Sequence, residues 1–429
     1  MKLTPARRIS GRLQLPGDKS ISHRAALIAA LASGSSEISN FSTARDCAST
    51  VACLRALGVS IEQTGQKLIV AGTRKLIAPD RPLDCGNSGS TLRILTGVLA
   101  GHDLTAELIG DESLSSRPMQ RIIEPLELMG ARIESTGGRA PLKVHGSDQL
   151  TPITYKLPVA SAQVKSAILF AGLNATGRTT VIETSPSRDH TERLFNGFGV
   201  AVKTDQDLSV SIEGPARLSG GAITIPGDVS SAAYFVAAAM LLPGSELTIE
   251  HVGLNPTRAA FLDVLRSWGA EISVSDVASD RNEPFGTIHV RGGINRNARE
   301  QERTLSGSMI PALIDELPLL AVVGSQIDGG IQIRDARELR LKESDRLATT
   351  AKNLRAMGAA VEELEDGLVV SGPTRLRGTL VDSHFDHRIA MAFSVAALIG
   401  EGETQIAGSQ CVAISFPEFF SLLDSLAVR

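Results

Sequence analysis

No stretch of this chain stays apolar for long: the longest run, Tyr234 to Leu242, has nine residues, where a membrane span needs roughly 18. Cysteine is scarce, and the four present, Cys47, Cys53, Cys85 and Cys411, show neither zinc-ligand spacing nor a disulfide framework. Basic runs are missing too. With a formal charge of −4, the chain lacks the Lys/Arg stripe of a nucleic-acid surface. Met1 to Ile9 is basic but no apolar segment follows it, so no secretion signal is expected and the expected compartment is the cytoplasm. His384 and His387 stand three apart without a second pair or a cysteine, a pattern more often structural than metal-binding. The expectation is a globular protein that handles small molecules, with no metal, no nucleic acid and no membrane.

At 429 residues, of which 42% are hydrophobic, the chain exceeds what one core usually holds, and two domains are expected. A helix ending in Leu-x-x-hydrophobic-Gly-[Val/Ala] recurs, with its glycine at 58, 130, 199, 269 and 358, and a degenerate sixth copy runs from Leu422 to Ala427. Spacings of 72, 69, 70, 89 and 69 residues describe six units of one supersecondary motif. After each glycine the apolar positions alternate, as in Val59-Ser60-Ile61-Glu62, a Thr64-Gly65 turn, then Leu68-Ile69-Val70, which reads as a hairpin. Each unit also opens with an Ala/Leu-rich helix beginning near Ser20, Ser88, Ser161, Ser230, Glu316 or His387. These helices are apolar nearly all round and should be buried inside a layer of sheet. The expected class is therefore α/β, built from six βαβαββ-like repeats, three per domain, rather than a Rossmann sheet. The break should fall near Pro226-Gly227-Asp228, giving domains 16–226 and 1–15 with 227–429, because the strand-like segment before Pro16 reads as pairing with the second half.

Motif-like polar residues gather where the opening helices start. Gly11 to Ser20 is not a phosphate-binding P-loop: five residues separate its glycines, and Asp18 stands between Gly17 and Lys19. It reads instead as a turn that delivers Lys19 beside free backbone N–H groups, with Ser20 or Ser22 as the N-cap. Gly86-Asn87-Ser88-Gly89 lets backbone approach a ligand, with Arg93, Arg117 and Arg121 close in sequence. Ser161-Ala162-Gln163 with Lys165, Asp315-Glu316, and Asp386-His387-Arg388 begin later helices. The unit with the longest spacing adds Lys342-Glu343-Ser344-Asp345-Arg346, which is either a solvated ion-paired helix face or a pair of acid–base groups near cations. If the helix starts share one cleft, it suits substrates with several negative charges.

Leu15 to Arg24, Gly86 to Arg93, Arg117-Pro118-Met119, Ser161-Ala162-Gln163, Lys342 to Arg346 and Asp386-His387-Arg388 together resemble the 5-enolpyruvylshikimate-3-phosphate synthase family, in its order from Leu15 to Phe420. The resemblance implies a two-domain inside-out α/β barrel with the active site in the cleft between domains. It further implies transfer of the enolpyruvyl group of phosphoenolpyruvate to shikimate 3-phosphate, with no cofactor, by a monomer. Carried over by position, Lys19, Ser20, Arg24, Ser161, Ala162, Gln163, Ser185, Arg188, Asp315 and Lys342 would hold shikimate 3-phosphate. Lys19, Asn87, Gly89, Arg117, Gln163, Arg346 and Arg388 would serve phosphoenolpyruvate. Lys19, Asp315 and Glu343 would be catalytic, Asp315 as base and Glu343 as acid.

Three positions depart from one branch of that family. Arg188 replaces a tyrosine over the shikimate ring, Glu338 an asparagine on the same substrate, and Ile414 a lysine near phosphoenolpyruvate. Two other readings stand beside this one. A UDP-N-acetylglucosamine enolpyruvyltransferase would carry asparagine after the lysine and a cysteine near Asp111 to Arg117; here Ser20 follows Lys19, and Asp111 to Arg121 has no cysteine. A non-catalytic repeat protein binding phosphorylated metabolites would keep the helix starts but has no need of Asp315 and Glu343.

Overall fold

A computed structural model describes residues 1–73, 75–294 and 303–429. The chain separates into two compact units, one of Met1–Pro16, Gly227–Ala278 and Pro284–Arg429, the other of Gly17–Pro226 with Ser279–Glu283. The first is called here the C-terminal unit and the second the N-terminal unit.

The recurrent Leu-x-x-hydrophobic-Gly signature is a helix stop. Its five glycines take φ of +87°, +108°, +91°, +96° and +96°, a region that only glycine enters without strain. At four of them the next residue donates its N–H five residues back, as in Val59 to Leu54, Ala131 to Leu126, Val200 to Phe195 and Ala359 to Leu354. That bond satisfies a carbonyl left open by the helix end and turns the chain into the first strand of a hairpin.

Each hairpin joins a parallel pair. In the second repeat, Leu83–Asp84 runs parallel to Thr105–Ile109, which pairs antiparallel with Arg139–His145, itself antiparallel to Arg132–Thr136. The same parallel, antiparallel, antiparallel order recurs around Gly177–Ile182 and around Ile331–Ile333. Strand Arg8–Gln14 immediately precedes the first helix, yet it lies parallel to Glu246–Gly253 in the C-terminal unit. Ala222–Thr224 correspondingly runs beside Ser35–Ser39 in the N-terminal unit. The pairing expected of the segment before Pro16 is thus present.

Three helices fill the middle of each unit. Lys19–Leu31, Gly89–Ala100 and Ala162–Gly172 form the inside of the N-terminal unit, and Val229–Leu241, Leu317–Gly324 and His387–Ile399 that of the C-terminal unit. Their apolar residues are buried on every face, so sheet lies outside and helix inside, the reverse of the usual layering. Among the described residues no single helix is long and apolar enough to cross a membrane.

The caps correct one expectation. Ser88 and Ser161 cap their helices, as Thr91 and Val164 N–H donate to their hydroxyls. The first helix is capped by Asp18 rather than Ser20 or Ser22: its Oδ1 accepts from Ile21 N–H at 2.9 Å. Asp228 and Asp386 cap the fourth and sixth helices in the same way. A carboxylate is a stronger acceptor than a hydroxyl and also complements the helix dipole. Part of the first turn is therefore already claimed by an anion, and Lys19 and Arg24 side chains are left as the features of that turn that attract one.

Candidate active site

In the N-terminal unit the polar residues come from the starts of the three inner helices. Lys19 Nζ lies 2.9 Å from Asp46 Oδ2, with both side chains largely covered. One turn on, Arg24 is 3% exposed. Its guanidinium donates to Thr191 Oγ1 at 2.7 Å, to Ser166 Oγ at 2.8 Å and to the Ser20 carbonyl at 3.0 Å. Every one of these acceptors is neutral. Burial pulls the Arg24 pKa down to about 10 against the attraction of Glu192, and the charge of Arg188 works in the same direction as burial. Among the described residues the Arg24 guanidinium is thus hydrogen-bonded to neutral acceptors, an arrangement that an incoming oxyanion would complement.

The Gly86–Gly89 loop sits against a second pair of guanidiniums. Arg93 Nη1 donates to Gln163 Oε1 at 2.7 Å, and Gln163 Nε2 donates to Ser90 Oγ at 2.9 Å. Arg117 Nη2 donates to Asn87 Oδ1 at 3.0 Å and to Ser113 Oγ at 3.1 Å. A Cβ on Gly89 would stand 2.7 Å from Arg93 Nη1 and 3.4 Å from Arg117 Nη1, so a side chain there would push the end of Arg93 aside while leaving Arg117 in ordinary contact. Lys19, Ser20 and Arg24 thus share contacts at the start of the first inner helix, Asn87, Gly89, Arg117 and Gln163 lie around the second and third, and the charge of Arg188 acts on Arg24. Ser161 and Ala162 begin the helix that carries Gln163. Ser185 is half-buried in the loop after strand Gly177–Ile182.

Lys165, four residues after Ser161, is buried between two carboxylates, Glu183 at 2.7 Å and Glu192 at 2.6 Å. Burial alone would lower its pKa, but Glu192 and Glu183 outweigh it and hold the ammonium above the ordinary lysine value. This lysine ties helix Ala162–Gly172 to helix His190–Gly197 and has no charge to spare.

In the C-terminal unit the cations are matched by acids. Asp315 lies 3.4 Å from Arg346, 3.5 Å from Arg258 and 3.6 Å from Arg388. Arg346, 2% exposed, also meets Glu343 at 2.6 Å and Asp386 at 2.8 Å. Burial would lower its pKa, but Asp386, Glu343 and Asp315 together keep the guanidinium firmly charged. Arg388 donates to Ser230 Oγ at 2.5 Å and lies 3.4 Å from Glu316, to which Ser230 also donates. Burial raises the Glu316 pKa, with Arg258 and Arg388 opposing the shift. Desolvation lowers the Lys342 pKa, opposed by Asp315 and reinforced by Arg346.

The segment Lys342 to Arg346 is therefore no solvated helix face: Arg346 is interior, and its i,i+3 partner Glu343 points at the same cluster as Asp315. The helix itself begins only at Arg346, with Asp345 capping it through Ala348 N–H. Ile414, where one branch of the family has a lysine, ends a short helical turn, Ser409–Ile414, and packs against the core. Among the described residues no three His, Cys, Asp or Glu side chains group as a metal site.

The C-terminal unit also has a cavity of about 630 Å³ lined by Leu241, Trp268, Gln326, Ile327, Leu376 and Ile399 among others. It opens at the carboxyl ends of the inner helices, away from the charged cluster at their amino ends, and volume alone gives it no chemistry.

Compared with known proteins, residues 3–423 match the family model of EPSP synthase (3-phosphoshikimate 1-carboxyvinyltransferase). The chain belongs to the EPSP synthase family. It is similar to the 3-phosphoshikimate 1-carboxyvinyltransferases of Koribacter versatilis, at 50% identity over all of this chain and 99% of that one, and of Solibacter usitatus, at 48% over 99% of each. Among solved structures it resembles EPSP synthase from Acinetobacter baumannii, with a TM-score of 0.88, 38% identity and coverage of 100% and 98%. As a family member the chain is an enzyme with 3-phosphoshikimate 1-carboxyvinyltransferase activity, a transferase of the shikimate pathway and aromatic amino acid biosynthesis. The fold is the family's two-domain inside-out α/β arrangement, and neither the wall-synthesis reading nor the scaffold reading is favoured.

In this EPSP synthase family member several residues of the two clusters lie outside the motifs that identify it. Asp46, Ser166 and Thr191 hold Lys19 and Arg24, and Arg258 bridges Asp228 and Asp315 at 3.5 Å each. Asp46 and Arg258 stand in segments with no motif-like spacing, and only the third dimension shows what they face.

Proposed function

We propose that the two clusters serve one reaction on phosphoenolpyruvate and shikimate 3-phosphate. Lys19, Ser20, Arg24, Ser161, Ala162, Gln163, Ser185 and Arg188 of one unit, with Asp315 and Lys342 of the other, hold shikimate 3-phosphate. Arg24 and Arg188 receive its phosphate. Phosphoenolpyruvate is held by Lys19, Gly89, Arg117, Gln163, Arg346 and Arg388, with Asn87 orienting Arg117. Asp315 takes the proton of the 5-hydroxyl as that oxygen bonds to C2 of phosphoenolpyruvate, and Glu343, with Lys19, delivers a proton to the methylene carbon. The tetrahedral intermediate then gives up a methyl proton and phosphate, which restores the double bond. The arginines stabilise the charge on the departing phosphate. Protons balance across the two steps with these side chains. The same reading makes the protein a cytoplasmic monomer.

The observation that supports it most is that Asp315 and Glu343 engage one guanidinium, that of Arg346. Two carboxylates placed around one buried cation supply a base and an acid at a single locus, which a binding scaffold has no use for. The test is phosphate release from phosphoenolpyruvate. Release is expected only when shikimate 3-phosphate is also present. Release that depends on UDP-N-acetylglucosamine instead, or saturable binding of both metabolites with no release, overturns the reading.

A further inference from the structure

The long hairpin formed by Ala270–Asp280 and Glu283–Ile294 has strands in the C-terminal unit, but its tip, Ser279–Glu283, belongs to the N-terminal unit. The tip is fastened there at four successive residues. Asp280 accepts from Thr224 N–H at 2.8 Å, and Arg281 donates to the carbonyls of Gly197 and Ala222 at 2.6 and 3.0 Å while covering the Phe198 ring. Asn282 and Arg193 exchange side-chain-to-carbonyl bonds at 3.3 and 3.0 Å. Glu283 Oε1 lies 2.7 Å from His190 Nδ1, with both side chains 1% exposed.

Apart from the Asp280 bond and that of Arg281 to Ala222, which meet strand Ala222–Thr224, these contacts converge on helix His190–Gly197 or the residue after it. The first turn of that helix is also what holds Arg24. Thr191, next to His190, accepts from Arg24 Nε at 2.7 Å and bonds to Ser166 Oγ at 2.7 Å, and Ser166 accepts from Arg24 Nη2 at 2.8 Å. A chain of short contacts therefore runs from Glu283 through His190 and Thr191 to a buried guanidinium. Burying a carboxylate costs free energy that an apolar pair would not, and apolar packing anchors a helix equally well. The polar pair does something that packing cannot, because it fixes the imidazole in one orientation and places a negative charge near Arg24. The field of Glu283 favours the charged form of Arg24.

We infer that Glu283 is a positioning residue for the sugar-phosphate subsite, holding through His190 the helix turn whose Thr191 hydroxyl orients Arg24. The inference rests on the proposed binding of shikimate 3-phosphate at Arg24. Its test uses Glu283→Ala and Glu283→Gln in the full-length protein, with steady-state kinetics in both substrates and equilibrium titration with shikimate 3-phosphate alone. In Glu283→Ala, KM and Kd for shikimate 3-phosphate rise about tenfold while kcat and KM for phosphoenolpyruvate stay within about twofold. Glu283→Gln keeps a hydrogen-bonding partner for His190 and recovers most of the loss, leaving about a threefold effect.

A fall in melting temperature with KM and Kd for shikimate 3-phosphate unchanged makes Glu283 a stability residue only and overturns the inference. Should Glu283→Ala yield no folded protein, Glu283→Gln decides alone, on whether the affinity weakens or stays. Wild-type protein that does not bind shikimate 3-phosphate overturns the subsite and this inference together. Wild-type binding that both variants retain in full overturns only the role of Glu283.

Discussion

The two charged clusters are built on the same helix-start geometry and differ in how their arginines are held. In the N-terminal unit the hydrogen bonds of Arg24 go, among the described residues, to neutral oxygens, and Arg93 and Arg117 donate to the amide oxygens of Gln163 and Asn87. In the C-terminal unit Arg258, Arg346 and Arg388 each meet a carboxylate, and Asp315 is shared among all three. Neutral acceptors orient the Arg24 guanidinium without neutralising it, which suits that residue to meeting a ligand anion. Carboxylates neutralise the cation and leave it less charge for an incoming anion. On the proposed reading the difference is a division of labour, with one cluster suited to binding an anion and the other to moving protons.

That division is open to attack at its strongest point first. Glu343→Gln removes an acid while keeping shape, and kcat is expected to fall by about 10²–10⁴-fold with KM for either substrate changing far less. An effect confined to KM breaks the contrast, since it would make Glu343 a binding group. In the other cluster Arg24→Gln removes charge-assisted bonds of roughly 1.5–3 kcal/mol, so KM for shikimate 3-phosphate should rise about 10- to 100-fold with a smaller change in kcat. Loss of kcat at unchanged KM there would break the contrast from the opposite side. Gly89→Ala sharpens it at a finer scale. The new methyl pushes Arg93 from Gln163, and KM for phosphoenolpyruvate should rise about three- to tenfold with shikimate 3-phosphate little affected. Equal effects on the two substrates would mean that the loop does not tell them apart.

Much of this was legible in the chain itself, for reasons that differ by element. The repeat could be read because Gly58, Gly130, Gly199, Gly269 and Gly358 all solve one backbone problem, the positive φ at a helix stop. The buried helices could be read because their apolar positions cover every face. The cap of the first helix could not be read correctly. Asp18 and Ser20 are both good N-caps, and the choice depends on where the chain leaves the preceding turn. Lys342 to Arg346 was ambiguous for a similar reason, since i,i+3 spacing is the same on a wet surface and in a core. The partners that hold the site residues, such as Asp46 for Lys19 and Thr191 for Arg24, are remote in sequence and carry no local signal. Glu283 is the extreme case, 93 residues from His190 and at the end of a hairpin whose strands belong to the other unit.

The smallest expected effect concerns Lys342, beside the acidic cluster. Lys342 has its pKa lowered by desolvation, with Asp315 opposing and Arg346 adding to the shift. In the proposed shikimate 3-phosphate site its binding form is the ammonium, present at low pH and lost as pH rises through the pKa of the folded enzyme. Because that pKa lies below the ordinary lysine value of about 10.4, affinity for shikimate 3-phosphate should decline on the alkaline side earlier than a surface lysine would allow. A guanidinium at this position stays charged throughout that range. Lys342→Arg should therefore move the alkaline limb of the KM profile to higher pH while changing KM at neutral pH by no more than about threefold. A limb at the same pH in both proteins would assign the titration to another group and remove Lys342 from the proton-sensitive half of the contrast.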